Sequence, residues 1–247
     1  MSPYSRMRDP LENRELAFFL DPSEPAPDDE QFLADLSWHI ERVRNRMFLL
    51  CLTHDAKSGY RASDLPFLRA WARARMWEQY AANHTGVCLA FDANRVLEHV
   101  SDNLRQRGMF FAGDVAYTPR GFAGTPAASL RPSDFGGTPH NFPKIGEFVL
   151  ANEEAIFRTK TLDWEGEHEL RLIFSPRVAR GAPDVSDEYV FVPVGDAKSV
   201  RAVILGENFP EWQLPAARWA CKQVGVPLVR LQWRAGLPWP MPAGDDG

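Results

Sequence analysis

The stretch KTLDWEGEHELRLIF, Lys160 to Phe174, decides how the chain is read. It sets Glu165, Glu167, Glu169 and Arg171 two residues apart, after a lysine and a tryptophan. In an extended strand, residues at i, i+2 and i+4 project from one face. A strand reaching back to Glu167 therefore gathers Glu167, Glu169 and Arg171 on one side and turns Leu170 and Leu172 toward a core. No other part of the chain sets so many charges beside apolar residues.

Around this stretch lies an ordinary globular composition. The 247 residues are 45% hydrophobic and 25% charged, with 8 tryptophans and 16 phenylalanines, enough to bury a full core. A formal charge of −5 argues against broad electrostatic capture of nucleic acid or of an anionic membrane. No apolar run approaches the length that spans a bilayer, and MSPYSRMRDPLENRE lacks the apolar segment of a signal peptide. Cys51, Cys88 and Cys221 are odd in number, and the first two sit in the apolar runs FLLCL and VCLAF. They read as reduced core thiols of a cytoplasmic protein, not as a disulfide frame or a zinc site.

Patterning then gives an alternation of elements. Residues 21–29, DPSEPAPDD, form a loop that ends in a helix cap, and Glu30 to Arg46 carries apolar residues at helical spacing. Met47–Thr53 and Gly86–Phe91 read as buried strands. Leu65 to Asn83 reads as a helix, and Asp92 caps another that runs to about Arg107. Asp114–Pro119 is predicted as a third strand, Gly121–Pro143 as a long loop, and Lys144–Thr159 as a helix leading into the charged strand. Tyr189–Val194, Val200–Gly206 and Leu228–Trp233 are predicted strands, with a helix over Pro215–Val224. Residues 237–247 read as a flexible tail behind a single globular domain over 1–236. The class is α+β, with a mixed or antiparallel, even split, sheet and flanking helices.

Four pieces, RDPLE (Arg8 to Glu12), MFLLCLT, MWEQYAANHTGVCLAFD (Met76 to Asp92) and KTLDWEGEHELR (Lys160 to Arg171), resemble the domain of unknown function 2971 family, and VRAVILG fits as well. Members of that family look as if they begin earlier, with a strand and helix opening on a His-Tyr-Thr-like or Tyr-Arg-like motif. Here SPYSRMRDPLE follows Met1 at once, so the expectation is a chain that lacks this element or was read from a late start.

The Glu-x-Glu of Glu167 and Glu169 is also similar to the motif of ADP-ribosyltransferases. That likeness implies NAD as substrate, Glu169 as the catalytic residue and Glu167 on the acceptor side. A fixed carboxylate stabilises an oxocarbenium-like transition state and grips a ribose hydroxyl, and the second can activate the acceptor. Arg171 would contact a phosphate or hold a carboxylate, with Trp164 and Lys160 in support, in a setting such as phage defence. The NAD-binding motif that should face this strand would lie in the missing N-terminal element.

Blander readings stand beside these. Alternating Glu and Arg on a strand are commonly a solvated face with a cross-strand ion pair. Trp77, Tyr80 and His84 fall on one helical stripe, either core or an aromatic wall for a base. Asp9 and Glu12 suit a cation or a sugar hydroxyl, or simply a capped turn. His54 and Asp55 follow a buried strand, where sites often lie. The histidines show no metal-ligand spacing, and no phosphate loop or Gly-x-Ser-x-Gly elbow occurs. Besides the transferase, whose partners would be a nucleotide ligand and a protein acceptor, two other functions fit: a metal-dependent hydrolase using Glu165, Glu167, Glu169 and Asp163, or a non-enzymatic binding or regulatory module whose carboxylates bind the basic residues of a protein partner.

Overall fold

Leu170 to Phe174 does form a strand, but the strand starts at Glu169. The computed structural model describes residues 1–6, 16–26, 28–56, 68–177, 189–194 and 198–243. In chain order its elements are β1 (Ser2–Pro3), β2 (Phe19–Leu20), α1 (Asp29–Arg44), β3 (Phe48–Thr53), α2 (Ala74–Tyr80), β4 (Val87–Phe91), α3 (Ala93–Arg105), β5 (Gly108–Asp114) and β6 (Ala116–Thr118). There follow β7 (Ser129–Leu130), α4 (Phe142–Ala151), α5 (Glu153–Phe157), β8 (Thr159–Thr161), β9 (Glu169–Pro176), β10 (Val200–Leu205), α6 (Leu214–Val224), β11 (Leu228–Arg234) and β12 (Leu237–Pro242). The chain is α+β with mixed and antiparallel sheets. It divides into two compact units, Met1–Leu52 with Leu104–Val192, and Thr53–Asn103 with Pro193–Gly247.

The first unit is built on a sheet of order β1-β3-β9-β5. β5 and β9 run antiparallel, with Phe110 opposite Phe174, Ala112 opposite Leu172 and Gly113 opposite Arg171. α1 packs on α4, because Phe32, Leu36 and Ile40 on one and Ile145 and Val149 on the other join Ile173 in one buried cluster. Asp28 caps α1 by accepting the Gln31 N–H, satisfying one of the donors that a helix start leaves open.

Several expectations are corrected in this unit. Gly121–Pro143 is not an open loop: three 3₁₀ turns and β7 sink Phe122, Ala128, Leu130 and Phe135 into the core. Its prolines open two of the turns, and Gly136, at φ 70°, closes one. β5 lacks a clean alternation and was not foreseen. The helix expected over Lys144–Thr159 starts at Phe142 and breaks at Asn152. Of Tyr189–Val194, apolar enough for a strand, Val190 alone hydrogen-bonds the chain start, donating its N–H to the Met1 carbonyl and accepting from the Met1 ammonium, and no longer ladder forms among the described residues.

The second unit carries the sheet β12-β11-β10-β4, parallel between β10 and β11 and antiparallel elsewhere. Trp77, Ile204 and Leu231 form its core. β4, expected to be buried, exposes Val87 and Leu89 on one face. Of the residues expected to be a tail, Leu237–Pro242 are β12, paired with β11 from Leu237 opposite Arg234 to Pro242 opposite Val229, while 244–247 lie outside the described residues. Pro238, Pro240 and Pro242 recur every second residue, so their missing donors all lie on one side of an edge strand, where the ladder does not need them. α2 occupies only the last part of the helix expected over Leu65–Asn83; residues 57–67 lie outside the described ones.

Leu172 is fully buried in β9. Replacing it with alanine is expected to cost about 2–5 kcal/mol, the range for a buried leucine, read by chemical denaturation.

Candidate functional site

Between β8 and β9 the chain makes a 3₁₀ turn, Leu162–Glu167, and then His168 takes a left-handed conformation, φ 45° and ψ 57°. That one residue replaces the expected continuous strand. It lets both carboxylates meet the same cation: Lys160 Nζ lies 2.9 Å from Glu167 Oε2 and 2.9 Å from Glu169 Oε2. Arg171 closes the group, donating from Nε to Glu169 Oε1 at 2.8 Å and from Nη2 to Oε2 at 3.1 Å. Its Nη1 donates to the Phe157 carbonyl at the end of α5. The Cys51 thiol donates to Glu169, and the Glu169 N–H donates to the Tyr117 hydroxyl at 2.9 Å. Trp164 lies under the ammonium of Lys160, 5.1 Å from ring centroid to Nζ.

The charged face is not solvated. Glu167 is 3%, Glu169 5%, Arg171 1% and Lys160 8% exposed, and Ile173, on the same face of β9, enters the main core. Two cations and two carboxylates balance, which is what makes their burial tolerable. Burial pushes the Glu169 carboxyl up from its ordinary value against the pull of Lys160. Burial pulls Lys160 the other way, yet Glu169 and Glu167 outweigh it and hold the ammonium charged. Burial also raises the Cys51 thiol, with Glu169 adding to the effect, and lifts Tyr117 to about 12. Both stay protonated, and Cys51 remains a donor.

Lys160, Trp164, Glu167, Glu169 and Arg171 thus come together in a sealed cluster and not on an open face. Glu165 and Asp163 are exposed, and among the described residues no group of three or more His, Cys, Asp or Glu side chains converges as a metal-ligand set. Trp77, Tyr80 and His84 do not form a stripe. α2 ends at Tyr80, which is 63% exposed, while Trp77 is buried. His84 lies beyond the helix at φ 65°, after Ala82 and Asn83 with the same left-handed sign. Its ring stacks on Trp77, with centroids 6.2 Å apart, and meets Trp233 edge-on. A Cβ on Gly206 would fall 2.0 Å from the His84 carbonyl, so only glycine lets β10 approach this turn. Asp55 spends its carboxylate on Arg69 and the Ala70 N–H. Asp9 and Glu12 lie outside the described residues. Sequence reasoning missed Cys51 and Tyr117, which no local pattern ties to Glu169.

A cleft of about 550 Å³ opens elsewhere in the first unit, lined by Asp21, Ser129, Arg131, Asp134, Lys144, Glu147, Phe148 and Asn152 among others, and by no member of the charged cluster. Arg131 donates to Asp21 at 2.9 Å and Lys144 to Glu147 at 3.1 Å. The hydroxyl and N–H of Ser23, with Arg131, hold Asp21 down at about 2 from its ordinary 3.8.

Residues 76–172 match the family model described as Protein of unknown function (DUF2971), a span that takes in both the Trp77–Gly86 stretch and Lys160–Arg171. No curated protein and no solved structure matches the chain. Among the described residues no helix is long and apolar enough to cross a membrane.

Two outcomes are expected. Glu169→Gln leaves buried cations undercompensated and should cost about 3–5 kcal/mol, measured by urea denaturation. Asp21 has a depressed folded pKa, so its stabilising contribution is present above the ordinary 3.8 and is lost as pH falls toward about 2. Asp21→Asn should remove that part of the pH dependence of unfolding.

Proposed function

We propose that the chain is a non-enzymatic binding module, with the Glu167–Glu169 pair as its structural keystone and the open cleft beside Arg131 as its ligand site. Burial carries this reading. A transferase glutamate must be free to grip a ribose as charge develops, whereas both oxygens of Glu169 are spent on Arg171 and Lys160. The cleft has what the cluster lacks, which is access. Arg131 and Lys144 offer cations for phosphate oxygens, Phe148 an apolar ring, and Ser129 and Asn152 neutral hydrogen-bonding groups, the mixture that small-ligand sites use. Asp21 and Glu147 keep the two cations in place before the ligand arrives. A nucleotide is the ligand class, its phosphates suiting the two cations and its base the Phe148 ring.

Thermal shift with NAD and ATP tests this, because a ligand that binds only the native state raises the midpoint. The wild type should gain stability with a nucleotide, Arg131→Ala should lose that gain, and Glu169→Gln should keep it despite a lower starting midpoint. No shift in the wild type with either nucleotide would sink the ligand assignment. If the wild type released nicotinamide from NAD and a folded Glu169→Gln did not, the transferase reading would take its place.

A further inference from the structure

The two edges of the second unit's sheet are finished differently. On β12 the Ala243 N–H, just past the strand, donates inward to the Leu228 carbonyl. Bonding alternates along a strand, so Pro238, Pro240 and Pro242 stand at the outward positions, where a further strand would find no donor. β4, the other edge, has no such protection: residues 85–91 read TGVCLAF, without proline or charge. Natural sheets blunt their edges with charges, prolines or bulges. The one register shift beside β4 falls between Val200 and Ala202, on the β10 side of the pair.

The backbone of β4 is turned outward at its middle. Val203 lies opposite Leu89, yet its N–H donates to the Pro227 carbonyl, on the side of β11. The Gly206 N–H donates across to the Gly86 carbonyl at 3.0 Å. Bonded pairs therefore fall at Gly86, Cys88 and Ala90, and the N–H and C=O groups of Val87, Leu89 and Phe91 point away from β10. Among the described residues no strand pairs with that side of β4. Cys88 and Ala90 face the Trp77 core, while Val87 and Leu89 are 47% and 48% exposed.

We infer that β4 is a self-association edge, to which a second copy of this chain adds its own β4, antiparallel and centred on Leu89. The strand is complementary to itself. With Leu89 opposite Leu89 of the copy, Val87 meets Phe91, Cys88 meets Ala90 and Gly86 meets Asp92. Outward residues meet outward residues, so Val87, Leu89 and Phe91 each exchange N–H and C=O bonds with their opposites. No charge lies opposite a like charge, and Asp92 is already held by the Arg201 side chain and the Arg95 N–H. A head-to-tail contact of β4 with β12 would propagate into a fibre, and the prolines of β12 forbid it. Pairing β4 with β4 instead closes on a two-fold axis and stops at a dimer.

Sedimentation velocity on the full-length chain, from micromolar to submillimolar concentration, tests this. The wild type should pass from monomer to dimer and go no further. Leu89→Lys should weaken the dimer at least tenfold. Leu89→Pro removes only an N–H that points away from β10 and should do the same, with circular dichroism unchanged. Trp219→Lys, on α6 at a residue 66% exposed, should leave the dimer intact. Opposed residues of a bonded pair lie about 5.5 Å apart at Cα, within disulfide reach. Oxidised Leu89→Cys should therefore run as a covalent dimer, which the wild type and Val224→Cys should not. A wild type that stays monomeric overturns the inference and leaves the edge to an extended segment of another protein. So does a dimer that survives Leu89→Lys, or one lost in Trp219→Lys alone. If Leu89→Pro fails to fold, Leu89→Lys, at a half-exposed position, decides the matter.

Discussion

The two-pronged contact between Arg171 and Glu169, with Lys160 bridging Glu169 to Glu167, is the constraint on which the first unit depends. Four charges lie in an interior that penalises each of them, so every one must keep its partner. The partners come from different elements. Lys160 is on β8, Glu167 ends a 3₁₀ turn, Glu169 and Arg171 are on β9, Cys51 is on β3, Tyr117 on β6, and the Phe157 carbonyl closes α5. A one-residue slip of β9 would swap its faces and leave the cluster's cations facing leucines. The net stability such a buried group adds is small; what it supplies here is a single admissible arrangement of β8, the turn and β9.

The second unit is organised by close approach rather than by charge. Three left-handed residues, Ala82 to His84, turn the chain sharply after α2. Gly206 gives the His84 carbonyl room, and Gly206 and Asn208 bond across the same turn, to Gly86 and His84. His84 therefore reaches Trp77 and Trp233 as a packed ring. The Met76–Gly86 stretch, which looks like a ligand motif in sequence, is in this fold the description of a turn.

Where charge does meet solvent, as at Arg131 and Lys144, it is paired locally and lies at the lip of a cleft. The functional reading follows from that contrast. The cluster with the strongest motif has its hydrogen-bonding capacity used up by protein, while the site with capacity to spare is assembled from 3₁₀ turns and α4, whose sequence carries no motif.

Local sequence sufficed for elements whose own residues settle their state: α1 and its aspartate cap, β3, β10 and β11, α6 with proline in its first turn, and the α+β class. It also picked out Lys160, Trp164, Glu167, Glu169 and Arg171 as a group, because residues within a dozen positions cannot separate far. It did not determine whether that face met water or core, since alternation reports which residues share a side and not what covers it. The β12 strand, the burial of Phe135 in a glycine- and proline-rich region and the approach of Cys51 to Glu169 were decided by tertiary structure alone. Each depends on a partner distant in the chain, and no local period or spacing encodes the neighbour that packing brings.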